Sequence, residues 1–217
     1  MKRRQFFAGA ASLAATGVAL TPAALLAQAK APQAGVDFAK LGQPAPVEAP
    51  VGKIEVVEFF WYNCPHCNVF EPTLAQWVQR LPKDVVFKRV PVAFQESFVP
   101  QQNLFYALEA MNLLGSLHTK VFAAIHAERQ NLNRAEAITQ WVVKQGVDEA
   151  KFLSHFNSFA TSTKASRARQ LMTAYAVEGV PALGVAGRFY TDGTVAKSME
   201  RALAVADFLI AEVRAGR

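Results

Sequence analysis

The chain has 217 residues, of which 52% are apolar and 18% charged, with 12 Gly and 11 Pro; this balance supports a buried core and excludes disordered or collagen-like polymers. Its formal charge is +6, but Lys2, Arg3 and Arg4 lie in a segment expected to be removed, and residues 1–29 hold no Asp or Glu, leaving 20 Lys+Arg against 17 Asp+Glu. An excess of about +3 is too mild to indicate a nucleic acid or another polyanion as partner.

Residues 1–29 read as an export signal, with a basic start, an apolar run over 6–26 and Ala27-Gln28-Ala29 as a small-x-small cleavage site. An uncleaved anchor is the alternative, since the run approaches spanning length. Its Ala, Gly, Ser and Thr content and Pro22 make it a poor membrane helix. Arg3-Arg4-Gln5-Phe6-Phe7 is similar to a twin-arginine signal, although Lys2 stands where Ser or Thr is usual. The route of export is therefore open, whereas export itself is the expectation.

Residues 30–50 carry Pro32, Pro44, Pro46 and Pro50 and suit an extended lead-in, with a short strand expected at 36–38. Residues 54–62 (IEVVEFFWY) are almost continuously β-branched or aromatic, the pattern of a central strand covered on both faces, with Glu58 as the charge in its middle. Over 65–80, Val69, Phe70, Leu74, Trp77 and Val78 recur at helical spacing; Pro65 fits the first turn, and Pro72 is expected to kink the helix. A second strand at 85–92 completes a parallel βαβ unit.

Residues 97–177 change to a run of helices. Pro100 is expected to start one that ends at Gly115, and a second covers 117–127. Asn133 with Glu136 three residues on predicts a capped third helix that stops at Gly146. Asp148 opens a fourth, and a last one runs to Val177 and breaks at Gly179. Strands at 182–186 and 188–191 around Gly187 form a hairpin, and a terminal helix covers 197–213. The expected organisation is an α/β domain of residues 30–96 and 178–217, interrupted by an inserted all-helical domain at 97–177.

Cys64 and Cys67 are the chain's two cysteines, so no disulfide framework can be built, and a bridge across two residues removes little unfolded-chain entropy. Chemistry explains them better. At a helix start the first sulfur meets unpaired backbone N–H groups and the positive end of the dipole, which favour the reactive thiolate. His66 adds a charge or a donor, and Pro65 stiffens the loop. Cys64 is expected at an exposed tip as the attacked and attacking sulfur, with Cys67 as the less exposed resolving sulfur. Stabilising the thiolate stabilises the reduced pair, so the expected direction is oxidation of substrates. A zinc site lacks a second Cys/His pair, because His118, His126 and His155 are unhelpfully spaced; these three are expected at surface or capping positions.

Glu58-Phe59-Phe60, Cys64-Pro65-His66-Cys67, Phe70-Glu71 and Gly179-Val180-Pro181-Ala182 together resemble the DsbA family of periplasmic thiol:disulfide oxidoreductases, over essentially the whole chain after residue 29. The resemblance implies a thioredoxin fold, no cofactor, and cysteine-containing, newly exported polypeptides as substrates. It also implies a membrane quinone-linked reoxidant of the DsbB type and action as a monomer. By position, Pro181 is expected to be a cis-proline facing the cysteine pair, with Val180 offering backbone hydrogen bonds to a substrate; an ordinary strand-start proline is the alternative. Glu58 is similar to the family's buried acid, a proton acceptor for Cys67, or else a mid-strand Glu reaching solvent. Glu71 and Arg89 resemble further members of that charged cluster. Trp61-Tyr62-Asn63 stand at a position where members vary. Rival readings are a reductase or isomerase of the same fold, for which a dimerisation domain has no room, and a non-catalytic periplasmic holdase.

Overall fold

The computed structural model describes residues 31–217; the expected signal segment lies outside them. Ala31–Arg217 form one compact unit. Its strands are β1 (Ala39–Lys40), β2 (Ile54–Phe60), β3 (Val85–Pro91), β4 (Ala182–Val185) and β5 (Phe189–Asp192), in the spatial order β1-β5-β4-β2-β3. The helices are α1 (Pro65–Gln79), α2 (Val99–Ala110), α3 (Leu114–His126), α4 (Ala135–Lys144), α5 (Glu149–Phe156), α6 (Phe159–Ala174) and α7 (Met199–Arg214), with a 3₁₀ turn at Glu96–Phe98. Helices α2 to α6 thus enter between two strands of a single sheet, which is a thioredoxin fold with a helical insertion.

β2 is buried at every position and pairs parallel to β3 and antiparallel to β4, as its largely apolar sequence predicts. Its side chains alternate. Ile54 and Val56 enter a core with Phe70, Leu74 and Trp77 of α1 and Leu203 and Ala206 of α7. Val57 and Phe59 enter a second core with residues of the inserted helices, among them Leu171. The same alternation turns Glu58 toward the α1 face.

Four local expectations need correction. The lead-in strand is at Ala39–Lys40, not 36–38, because Gly35 at φ 79° and the Asp37 carboxylate accepting the Gln33 N–H build a turn there. α2 ends at Ala110, where Asn112 takes φ 57°, a conformation Asn tolerates; Gly115 falls in the first turn of α3. Asn133 is no cap: α4 starts after Arg134 without a side-chain cap, and the Asn133 side-chain Oδ1 accepts from Gln101 Nε2 at 3.0 Å. α6 stops at Ala174 with Ala176 at φ 51°, short of Val177. The Asp148 cap of α5, accepting from Lys151 N–H at 2.8 Å, and the positive φ of Gly146 after α4 match expectation.

Gly184 is fixed by a close approach. A Cβ there would lie 2.6 Å from Cζ of Tyr175, whose ring packs on Phe59 at 5.2 Å and whose hydroxyl accepts the Gly187 N–H at 3.0 Å. Gly184→Ala should therefore destabilise the protein by about 1–3 kcal/mol. A lowered urea midpoint at constant slope is the readout, and an unchanged midpoint would mean that the Tyr175 ring can retreat.

Candidate active site

β2 ends at Phe60 and the chain turns through 61–63 to Cys64, which occupies the N-cap position of α1 with extended backbone, φ −82° and ψ 117°. Pro65 follows at the first helical position, where its missing N–H costs nothing. Since β4 runs antiparallel to β2 with Phe59 opposite Ala182, the residues before β4 lie beside the end of β2. The Val180–Pro181 peptide there is cis, and the Cys64 thiol donates to the Val180 carbonyl at 3.3 Å. The two motifs, far apart in sequence, meet at this point.

Both cysteines are free thiols. Cys64 is not the exposed tip expected: 7% of its surface is accessible, against 1% for Cys67. The order of exposure stands, the degree does not, because the cis-peptide segment covers the sulfur. The Cys67 thiol beside it holds Cys64 down to about 6, helped by the N–H groups of Cys67 and His66 and then by the His66 charge, against the opposing effect of burial. Burial pushes Cys67 in the other direction, far above the ordinary thiol range, with Cys64 adding to the shift. The pair is thus divided into one easily ionised and one reluctant sulfur.

Beneath it lies a buried charge cluster. Glu58 is 1% exposed and does not reach solvent. Arg89, its register partner on β3, places Nε 3.1 Å from Glu58 Oε2 without hydrogen-bond alignment, and donates from Nη2 to Glu71 Oε1 at 2.6 Å. Glu71 sits four residues beyond Cys67 on α1, hence on the same helix face. One guanidinium serves two carboxylates. Burial pushes Glu58 up to about 8, Arg89 opposing and Glu71 adding to the shift.

His118 overturns the expectation of a surface or capping role. It is 6% exposed, with Nδ1 2.8 Å from the Tyr62 hydroxyl. His126, half-buried, places Nε2 2.8 Å from the Tyr62 carbonyl oxygen. His155 lies in the last turn of α5, as a surface reading allows. Spacing shows that His118 falls on the face of α3 that carries Leu117, Val121 and Phe122, but apolar neighbours alone do not announce a polar partner two helices away. Trp61 stacks on Phe98 of the 3₁₀ turn, 3.8 Å between centroids.

His66, Gly179, Val180, Pro181, Asp192, Gly193, Thr194 and Met199 line a cleft of about 340 Å³ beside Cys64. Val180, whose carbonyl accepts from Cys64, forms part of its wall.

The sequence matches the family described as a DSBA-like thioredoxin domain over residues 86–204. It is 41% identical to the thiol:disulfide interchange protein DsbA of Burkholderia cepacia, over 88% of this chain and 92% of that one. Identity to DsbA of Bordetella parapertussis is 43%, covering 93% and 95% respectively. The crystal structure of Pseudomonas aeruginosa DsbA superposes with a TM-score of 0.81 at 42% identity, covering 85% of this chain and 95% of that chain.

Proposed function

The chain belongs to the DsbA family of thiol:disulfide oxidoreductases, and from that membership we propose that it donates the Cys64–Cys67 disulfide to newly exported polypeptides in the periplasm. The observation that carries the direction is the opposite displacement of two thiols within one four-residue motif, Cys64 down to about 6 and Cys67 upward. A stabilised Cys64 thiolate lowers the free energy of the reduced pair and makes the disulfide a strong oxidant.

In the first step a substrate thiolate attacks Cys64 Sγ. The Cys64–Cys67 bond breaks, its electron pair goes to Cys67, and Glu58 supplies the proton that neutralises this sulfur. A second substrate thiolate then attacks the substrate sulfur of the mixed disulfide, and Cys64 leaves as a thiolate. Two substrate thiols become one disulfide and the enzyme pair gains two electrons. The low pKa of Cys64 makes it a good leaving group in the second step. Val180 offers its backbone to the substrate strand, Pro181 borders the reacting sulfur without an N–H to compete for it, and Pro65 keeps the loop taut. Reoxidation by a membrane quinone-linked protein of the DsbB type closes the cycle, and the enzyme works as a monomer after loss of residues 1–29. No helix among the described residues is long and apolar enough to cross a membrane.

The redox equilibrium of the pair against glutathione tests the direction. His66→Ser should make the disulfide less oxidising, by roughly three- to tenfold in that equilibrium. The effect is bounded because Cys67 contributes more than the His66 charge to lowering Cys64 and the backbone N–H of residue 66 is retained. An unchanged equilibrium would remove His66 from the account, and a pair that glutathione keeps oxidised would make the protein a reductase.

A further inference from the structure

Two histidines of α3 grip the residue two positions before Cys64. His118 holds the Tyr62 hydroxyl through Nδ1 and His126 holds the Tyr62 carbonyl through Nε2, both at 2.8 Å. Eight residues apart, they project from one side of the helix. His118 is enclosed by Phe60 of β2, Phe105 of α2 and Phe122 of its own helix, with ring centroids 5.3, 6.0 and 5.3 Å away. The polar groups facing it are Tyr62 from the β2–α1 connection and Glu71 from α1, with Arg89 of β3 at longer range. Its Nε2 lies 3.5 Å from Glu71 Oε2, and neither atom has a hydrogen-bond partner among the described residues.

This arrangement selects a tautomer. The buried Tyr62 hydroxyl has one proton to donate, His118 Nδ1 accepts it, and Nε2 keeps its own proton turned to Glu71. Burial holds His118 below the ordinary imidazole range, so the ring is neutral and acts as a fixed N–H dipole.

We propose that His118 is a positioning residue for the thiol chemistry: tied to Tyr62 on one side and facing Glu71 on the other, it keeps Glu71 committed to Arg89, so that the proton of the buried cluster stays on Glu58. The inference rests on the proton role proposed for Glu58. Arg89 is one cation between two carboxylates, so a low-dielectric cluster balances its charge by retaining one proton. That proton settles on the carboxylate with the poorer partners. Glu71 has the 2.6 Å bond to Arg89 and the His118 Nε2 dipole facing its other oxygen at 3.5 Å, whereas Glu58 has an unaligned contact with Arg89 at 3.1 Å. Without the imidazole N–H the preference for leaving the proton on Glu58 weakens, and Glu58 gives up its proton at lower pH.

Protein carrying glutathione on Cys64 isolates the step concerned. The Cys67 thiolate attacks Cys64 Sγ, the enzyme disulfide forms, the electron pair leaves on the glutathione sulfur, and the proton of Cys67 passes to ionised Glu58. Release of glutathione followed against pH should show an inflection near 8 in the wild type and none in Glu58→Gln. His118→Phe should move it down by on the order of one pH unit, while His118→Gln, whose amide can donate to Glu71, should restore most of the shift. Tyr62→Phe, which removes only the hydroxyl, should produce a smaller move in the same direction. An inflection that persists in Glu58→Gln overturns the proton role of Glu58 and this inference with it. An inflection lost in Glu58→Gln but unmoved in His118→Phe overturns the inference alone, leaving His118 as a packing residue that alters only the melting temperature.

Discussion

Cys64→Ser should abolish disulfide donation, a loss on the order of a thousandfold or more, while leaving the fold intact. Serine matches cysteine in shape closely enough for a site packed against Val180 and the start of α1, and its hydroxyl can donate to the Val180 carbonyl in place of the thiol that does so at 3.3 Å. Chemistry, by contrast, has no substitute for this sulfur, since Cys67 is almost sealed from solvent and held protonated. Cys67→Ser should fail differently. Cys64 still ionises and still captures a mixed disulfide from oxidised glutathione, but no second sulfur resolves it. Adducts should therefore accumulate, visible as a mass increase reversed by dithiothreitol. The pair of variants separates the readings: a holdase would keep suppressing aggregation in Cys64→Ser, whereas an oxidase loses its only turnover. Equal and complete loss of adduct formation in both variants would contradict the division of labour between the sulfurs.

Much of this architecture is legible in the sequence because the informative elements are covered on all sides. IEVVEFF at 54–60 has no polar face to offer solvent, so a central strand follows, and a helix and a strand of ordinary length after it dictate a parallel unit. Cys64 and Cys67 announce chemistry by their spacing and by the strand-to-helix junction that presents them. What stayed hidden depends on pairing at a distance. Asn133 offers a side-chain carbonyl to a helix N-terminus in sequence, but Gln101 of α2 takes it in the fold. His118 sits on an apolar helix face, and only the return of α3 over β2 gives it Tyr62 and Glu71. Cys64 is nearest the helix tip as its position implies, yet the approach of Val180, set by the register of β4 on β2, covers it. Periodicity reports which side of an element is buried, and long-range register decides what it is buried against.

The reduced protein should lose stability relative to the disulfide form as the pH falls through about 6. Cys64 ionises near 6 in the folded dithiol and at 9.0 when unperturbed. A depressed pKa contributes stability that is complete above the unfolded value and lost as pH falls through the folded one. Three units correspond to about 4 kcal/mol at the upper limit, before solvent screening at the sulfur trims it. At pH 7 the unfolded thiol is still protonated, so the contribution is at most about 1 kcal/mol, and near pH 5 it approaches zero. Cys67 acts in the opposite sense, but only as pH rises toward 9 and unfolded thiols ionise while the folded one does not. Glu58, raised to about 8, costs both redox forms stability that grows from the usual carboxylate range up to pH 8 and persists above it; Cys67, the sulfur that feels Glu58, stays protonated over this window, so the cost is common to both forms and drops out of the difference. The constraint that the disulfide places on the unfolded chain is independent of pH and shifts the difference by a constant. Urea unfolding of the two forms at matched pH isolates the thiolate. The stability of the reduced form minus that of the oxidised form should rise from pH 5 to pH 8, and a flat difference would show that the Cys64 thiolate is not what makes the disulfide oxidising.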